Sequence, residues 1–216
     1  MKVLLVEDDA GVREGLSELV SEQATVHDVG SVPEALAALR AGVYDLVLTD
    51  LRIGGDRLGG RTILEAARGC LVPVAIMSAS VPEEVERTLA PLHPDAQLTK
   101  PFQLEDVFGL VERFLALRTR AQQAGEATPA ASGWEPHGAQ AQRLREPHAT
   151  WLRLAPGARL PWPTEGHACG VLVVEGELEL NGQRRGAAQY FYVSADGGCE
   201  AATREGCLAV SLPLAR

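Results

Sequence analysis

Along the first hundred residues, short apolar runs repeatedly stop at a side chain that can do chemistry. Residues 3–6 lead into Glu7, Asp8 and Asp9, residues 46–48 lead to Asp50, residues 74–77 lead to Ser78, and residues 96–99 lead to Lys100. Three consecutive acids repel one another unless something positive sits among them, and a divalent cation is the usual remedy. Magnesium takes oxygen ligands and is commonly held by one or two carboxylates, with waters and phosphate oxygens completing its shell. Asp9 has an equally good reading as the N-cap of the helix that follows, which leaves Glu7 and Asp8 unexplained. Asp50 taken alone could be a turn former or a helix cap. Its place at the carboxyl end of a buried strand is the edge where open α/β sheets bind ligands.

The elements that must position these groups alternate in type. Strand patterns at residues 3–6, 25–29, 44–50, 74–77 and 96–99 are separated by helical patterns at 12–21, 35–40, around 63–67 and from 82, with a last helix over 103–120. Ser31-Val32-Pro33-Glu34 is a capping box, Gly42 closes the helix it opens, and Pro82-Glu83-Glu84 opens another. The last helix carries an apolar stripe of Leu104, Val107, Phe108, Val111, Phe114 and Leu115. Five strands alternating with helices predict an α/β doubly wound, five-stranded parallel sheet of the flavodoxin-like kind, whose strand ends share one edge. That edge would gather Glu7, Asp8, Asp50, Ser78 and Lys100. Carboxylates for a metal, an aspartate free to act as nucleophile, a hydroxyl and an ammonium are the parts that receiving a phosphoryl group requires. A cis Lys100-Pro101 bond would turn the backbone sharply, although sequence cannot show the isomer.

These segments, L-V-E-D-D, L-T-D-L-R, I-M-S-A and T-K-P-F in that order, resemble the receiver domain of bacterial two-component response regulators. The resemblance covers residues 1–120. It implies Mg²⁺ as cofactor, held by Glu7, Asp8, Asp50 and the backbone carbonyl of Arg52. It also implies Asp50 as the acceptor of phosphate from a sensor histidine kinase, with Ser78 and Lys100 on the phosphoryl oxygens, and no enzymatic activity beyond phosphoacceptor and autophosphatase chemistry. Two positions depart from the family pattern. Gln97 stands where an aromatic switch residue is usual, so coupling would run through Ser78 and the loop after the fourth strand. The loop after Asp50 has Gly54-Gly55 and Gly59-Gly60 in place of a Met-Pro step, which predicts a looser metal site.

Residues 121–132, A-Q-Q-A-G-E-A-T-P-A-A-S, read as a frayed helix end and a linker that leaves the second domain free to reorient. From residue 133 to 216 the period changes to strands at 150–154, 170–180 and 189–194, with Asn181-Gly182 as a hairpin turn. No amphipathic helix follows residue 133, so a helix-turn-helix output is not expected, and a small all-β barrel or sandwich is. L-A-P-G-A-R-L-P, V-L-V-V-E-G-E-L, the Gly186-to-Y-F-Y-V step and E-G-C-L resemble the cupin family, in particular cupins appended to zinc-dependent anti-sigma factors. Most of that family's metal ligands are missing. Glu165, His167, Cys169 and Cys199 could form an alternative set, against the simpler reading of buried thiols and a surface histidine. Trp151 and Trp162 read as packing residues.

Charge narrows the partners. Residues 1–120 carry 12 Lys/Arg against 19 Asp/Glu and the remainder 8 against 10, out of 20 and 29 in the 216-residue chain. Neither part is basic, which argues against a nucleic-acid face. With no signal peptide pattern, no long apolar run and four cysteines without CxxC spacing, a cytoplasmic protein with reduced thiols is expected, without membrane contact. Two functions remain open: a phosphorylation switch acting through protein contacts or a homodimer on an unknown downstream protein, or a β domain that senses a small molecule or metal (less readily, a metal-dependent enzyme) under receiver control.

Overall fold

The computed structural model describes residues 1–163, 166–196 and 198–215. The chain divides into two compact units, Met1–Leu115 and Ala116–Arg216. The first contains β1 (Lys2–Val6), α1 (Ala10–Ser21), β2 (Thr25–Val29), α2 (Val32–Ala41), β3 (Leu46–Asp50), α3 (Gly59–Gly69), β4 (Val74–Ser78), α4 (Pro82–Leu89), β5 (Ala96–Thr99) and the start of α5 (Leu104–Glu126). The five strands are parallel, in the order β2-β1-β3-β4-β5. The expected doubly wound sheet is therefore present.

The central strands explain why it forms. Leu4, Leu5, Leu46, Val47, Leu48, Val74, Ala75 and Ile76 are wholly buried, as a strand covered on both faces requires. Each large side chain so buried contributes about 1.5–3 kcal/mol relative to exposure. Register then aligns the strand ends: Val6 lies opposite Thr49, Asp50 opposite Met77, and Ser78 opposite Thr99. Caps place the chain as it leaves the sheet. Asp9 Oδ1 accepts from the Val12 N–H at 2.9 Å. At α2, Ser31 Oγ accepts from the Glu34 N–H at 3.4 Å while Glu34 Oε2 accepts from the Gly30 N–H at 3.1 Å, a reciprocal capping box.

Helix α5 differs from its sequence reading in two ways. It runs through Glu126, past Arg120, so the helix end read as frayed at the start of residues 121–132 is six residues of regular helix. Leu104, assigned to the apolar stripe, is the first residue of the helix and is 59% exposed. Val107, Leu110, Val111 and Phe114 form the buried stripe instead, and Leu117 and Ala121 continue it into the second unit. There α5 packs on the β sheet. A Cβ on Gly170 would come 3.0 Å from the Leu117 Cγ, and one on Gly125 would strike the Leu172 side chain. Small residues on both elements therefore set the close approach.

The rest of the second unit, among the described residues, is all strand: β6 (Glu135–Pro136), β7 (Ala141–Glu146), β8 (Ala149–Leu154), β9 (Arg159–Pro161), β10 (Cys169–Leu180), β11 (Gln183–Gly186), β12 (Tyr190–Val193), β13 (Glu200–Ala202) and β14 (Cys207–Pro213). The organising strand is β10. Its first half pairs with β14 and β12, and its second half with β11 and β13. Between them the register slips at Val173/Glu175, and Gly176 follows with φ +75°. A bulge followed by a left-handed glycine bends one strand across two sheet faces, curling the antiparallel sheet in a way compatible with a barrel-like domain. Gly176 is needed there, since a Cβ would meet the Gly206 carbonyl oxygen. The hairpin at Asn181-Gly182 joins β10 to β11 with both residues at positive φ, the geometry of a type I′ turn.

All four cysteines are thiols, and Cys169, Cys199 and Cys207 are buried in this domain. Burial pushes the thiols of Cys169 and Cys207 up to about 12, and that of Cys199 upward as well. Since the thiolate is the nucleophile, a disulfide reagent at pH 8 is expected to modify the partly exposed Cys70 first. The three thiols buried in the β domain should react only on unfolding, as a stopped-flow thiol titration with and without guanidinium would show. Rapid modification of Cys169 in the native protein would contradict this packing.

Candidate functional site

The carboxyl edge of the parallel sheet brings the expected residues together. Glu7 follows β1 and is 2% exposed, Asp50 closes β3, Ser78 closes β4 and is buried, and Lys100 follows β5. Lys100 Nζ donates to Asp50 Oδ2 at 2.6 Å and to Glu7 Oε2 at 2.8 Å. Burial alone would lower the lysine pKa, but the hydrogen bonds and charges of Asp50 and Glu7 outweigh it and hold it above its ordinary value. The ammonium is therefore charged at neutral pH. Its backbone N–H is anchored on the Ser78 carbonyl at 2.7 Å, and the Lys100-Pro101 bond is cis.

Asp50 is oriented from its other oxygen, Oδ1, which accepts from the Arg52 N–H at 3.2 Å. The Ser78 hydroxyl oxygen accepts from the Ser80 N–H at 3.0 Å, so its proton is free to be aimed elsewhere. Asp8 is exposed, and its Oδ2 accepts from the Gly54 N–H at 2.9 Å. Asp9 is not part of this group, since it caps α1.

Several contributors escaped sequence reading. The loop after Asp50 is not loose: Ile53 is buried and bridges to Asp56, and Gly54 and Gly55 take positive φ in the turn between them. It thereby presents the Gly54 N–H to Asp8. Gly60 seats α3 against the end of β3, because a Cβ there would come 2.6 Å from the Asp50 carbonyl oxygen. Arg13 Nη1 donates to the Glu7 carbonyl at 2.8 Å. The Arg52 guanidinium reaches Glu84 at 3.6 Å and Ser80 Oγ at 3.5 Å, tying the loop after β3 to α4. The glycine pairs were visible as signals; the partners of the two arginines were not, because they lie on other elements. Gln97, at the position usual for an aromatic switch, has a buried side-chain nitrogen with no hydrogen-bond partner.

The donor chemistry suits a hard cation, as Glu7, Asp8 and Asp50 offer only oxygens. Among the described residues no three acids, histidines or cysteines converge as a ready-made metal cage, and Lys100 lies between two of these carboxylates. Magnesium does not need such a cage, since it retains waters and takes only a few protein oxygens. In the β domain, His167, Cys169 and Cys199 of the alternative set do not form a metal cluster either, and Glu165 lies outside the described residues. Trp151 and Trp162 are buried. No described helix is long and apolar enough to cross a membrane.

Comparison with known proteins bears on the first unit of the chain. The chain is 35% identical over 130 residues to the transcriptional regulatory protein CiaR of Streptococcus pneumoniae, covering 59% of this chain and 56% of that protein. It thus spans little more than half the length of that curated relative. Among solved structures, the receiver domain of Francisella response regulator 1452 shares 24% identity over 53% of this chain and 96% of its own, with a TM-score of 0.46. The receiver domain of a Pseudomonas aeruginosa sensor histidine kinase, solved with a magnesium ion coordinated in its active-site cleft, shares 21% identity over 53% and 97%, with a TM-score of 0.48. The model for the response regulator receiver domain matches residues 3–112, just over half of the 216 residues, and the chain belongs to that family.

Proposed function

We propose that residues 1–120 form a phosphorylation switch in which Asp50 accepts a phosphoryl group from a sensor histidine kinase, with output through the β domain of residues 133–216. The observation that carries this is the bridge of Lys100 Nζ to both Asp50 and Glu7, which places a cation and a buried acid around one carboxylate at a sheet edge. Glu7, Asp8, Asp50 and the Arg52 carbonyl would hold Mg²⁺, which when bound neutralises charge on the transferring phosphoryl oxygens.

The chain's own residues do the rest. Asp50 Oδ1 is held by the Arg52 N–H, which fixes the carboxylate plane. Lys100 changes partner from the Asp50 carboxylate to a phosphoryl oxygen, and the Ser78 hydroxyl donates to another. Converting the Asp50 carboxylate to an aspartyl phosphate adds about one negative charge net and three strong acceptor oxygens, enough to bias a two-state element. Ser78 and Ser80 lie on the path from Asp50 to α4, so α4 and its Arg52–Glu84 tie are where a shift would begin. The β domain contains no described helix after Glu126, which supports output by protein contacts or pairing of two chains.

Acetyl phosphate with Mg²⁺ should convert the full chain to a singly phosphorylated species detectable by intact mass, and chelation of the metal should suppress it by at least an order of magnitude. Lys100→Ala should leave Mg²⁺ affinity within a few-fold while abolishing the conformational response to beryllofluoride, read from amide shifts of Ser78 and α4. A variant that binds beryllofluoride and shifts as the parent does would remove the role assigned to Lys100. Metal-independent labelling would remove that of the acid pair.

A further inference from the structure

The turn between β1 and α1 carries the acids of the proposed metal site, and its course is fixed from outside it. Both backbone groups of Glu7 are engaged: its N–H donates to the Val29 carbonyl at 3.2 Å, and its carbonyl accepts from Arg13 Nη1 at 2.8 Å. Its carboxylate is held as well, Oε2 by Lys100 Nζ at 2.8 Å and Oε1 by the Asp9 N–H at 3.4 Å. Asp8 is exposed, and its carboxylate meets the Gly54 N–H. The direction in which Asp8 leaves the strand is set by the peptide plane it shares with Glu7. The oxygen of that plane is the one Arg13 holds.

Arg13 is itself built into place. Its side chain is 24% exposed, and its Nε pairs with Asp28 Oδ2 on β2 at 3.4 Å. Gly30, just after β2, makes room for the guanidinium, since a Cβ there would come 3.1 Å from Arg13 Nη1. Gly30 does not take the left-handed φ found at nine other glycines. Space for the arginine, and not backbone conformation, is what its missing side chain supplies. The guanidinium donates in two directions at once, from Nη1 to the turn and from Nε to the neighbouring strand. A lysine ammonium is a single point on a flexible stem and cannot reproduce both contacts.

We propose that Arg13 is a positioning residue for Mg²⁺, which sets the Glu7–Asp8 peptide so that the Asp8 carboxylate is presented to the metal at the edge that carries Asp50. The role rests on the reading of Glu7, Asp8 and Asp50 as the metal acids. Loss of a group that orients a metal ligand typically costs roughly 10–100-fold in metal affinity. Charge alone predicts the opposite sign: Arg13 is a cation beside the acids, and its removal would favour a dication. The direction of the change therefore separates positioning from charge.

The test is a Mg²⁺ titration of the full chain labelled with ¹⁵N and ¹³C, followed through the amide signals of Asp8, Asp9 and Gly54. Arg13→Met should bind Mg²⁺ about tenfold more weakly. Its Glu7 carbonyl ¹³C signal should already be displaced before metal is added, because that oxygen has lost its donor. Arg13→Lys keeps the charge and one contact, and its affinity should fall between those of Arg13→Met and the parent. Gly30→Ala keeps the arginine and crowds Nη1, so it tests the same contact if the methionine variant does not fold, and it should weaken Mg²⁺ binding several-fold. Parental or tighter affinity in a folded Arg13→Met variant, or an undisplaced Glu7 carbonyl signal, would overturn the role of Arg13 and leave the metal site standing. If only Gly30→Ala folds, parental affinity there would do the same. A parent chain without a saturable response to Mg²⁺ would overturn the metal reading, and the role of Arg13 with it.

Discussion

Asp50→Asn is expected to reduce phosphoryl incorporation from acetyl phosphate to background while the protein stays folded. The amide has the shape of the carboxylate and can still accept from the Arg52 N–H through its oxygen. It cannot act as the nucleophile. Lys100 loses one of two carboxylate partners and keeps Glu7 at 2.8 Å, so the ammonium remains paired and the edge remains assembled. Intact mass spectrometry after incubation with the donor and Mg²⁺ reads the result directly, with circular dichroism to show that the fold survives. Undiminished incorporation would move the acceptor to another carboxylate, of which Asp8 at the same edge would be examined first.

Gly60→Ala is expected to destabilise the first unit by about 3 kcal/mol, the upper part of the range for overpacking a well-filled interior. The added methyl would sit 2.6 Å from the Asp50 carbonyl oxygen, 2.8 Å from the Leu51 Cα and 2.9 Å from the Leu51 carbonyl oxygen. All three are backbone atoms, so no rotamer change can relieve the clash. The Gly60 N–H bonds to the Leu51 carbonyl at 3.0 Å, and that bond must break if α3 withdraws. Because these atoms continue directly from Asp50, the same substitution should also slow phosphorylation. Urea unfolding followed by far-ultraviolet circular dichroism gives the stability change. A midpoint within error of the parent would mean that α3 can slide from the sheet at little cost, contrary to the packing.

Much of the first unit was legible in the sequence because its signals are local. An apolar run of three to five residues that ends in a carboxylate or hydroxyl describes both a buried strand and the group at its end, and the capping box at Ser31-Glu34 marks a helix start within four residues. Residue types at strand ends, with the alternation of strands and helices, therefore named Glu7, Asp8, Asp50, Ser78 and Lys100 as one set.

The second unit was less legible for an equally physical reason. β7 reads A-Q-R-L-R-E, with arginines where an apolar alternation would announce a strand, and its pairing with β8 supplies what its composition does not. β14 is central only because β8 and β10 flank it. Residues 121–126 read as a frayed helix end, since their small residues signal flexibility until a sheet is found packed against them.

The sequence by itself determined the order of elements and the chemical groups delivered to the parallel-sheet edge, because apolar periodicity and strand-end residue types are properties of neighbours along the chain. Only the tertiary structure decided which carboxylates Lys100 bridges across separations of 93 and 50 residues, and how the glycine turn holds Asp8. Those features depend on distances between elements remote in sequence, which the packing of the whole chain sets and no local pattern encodes.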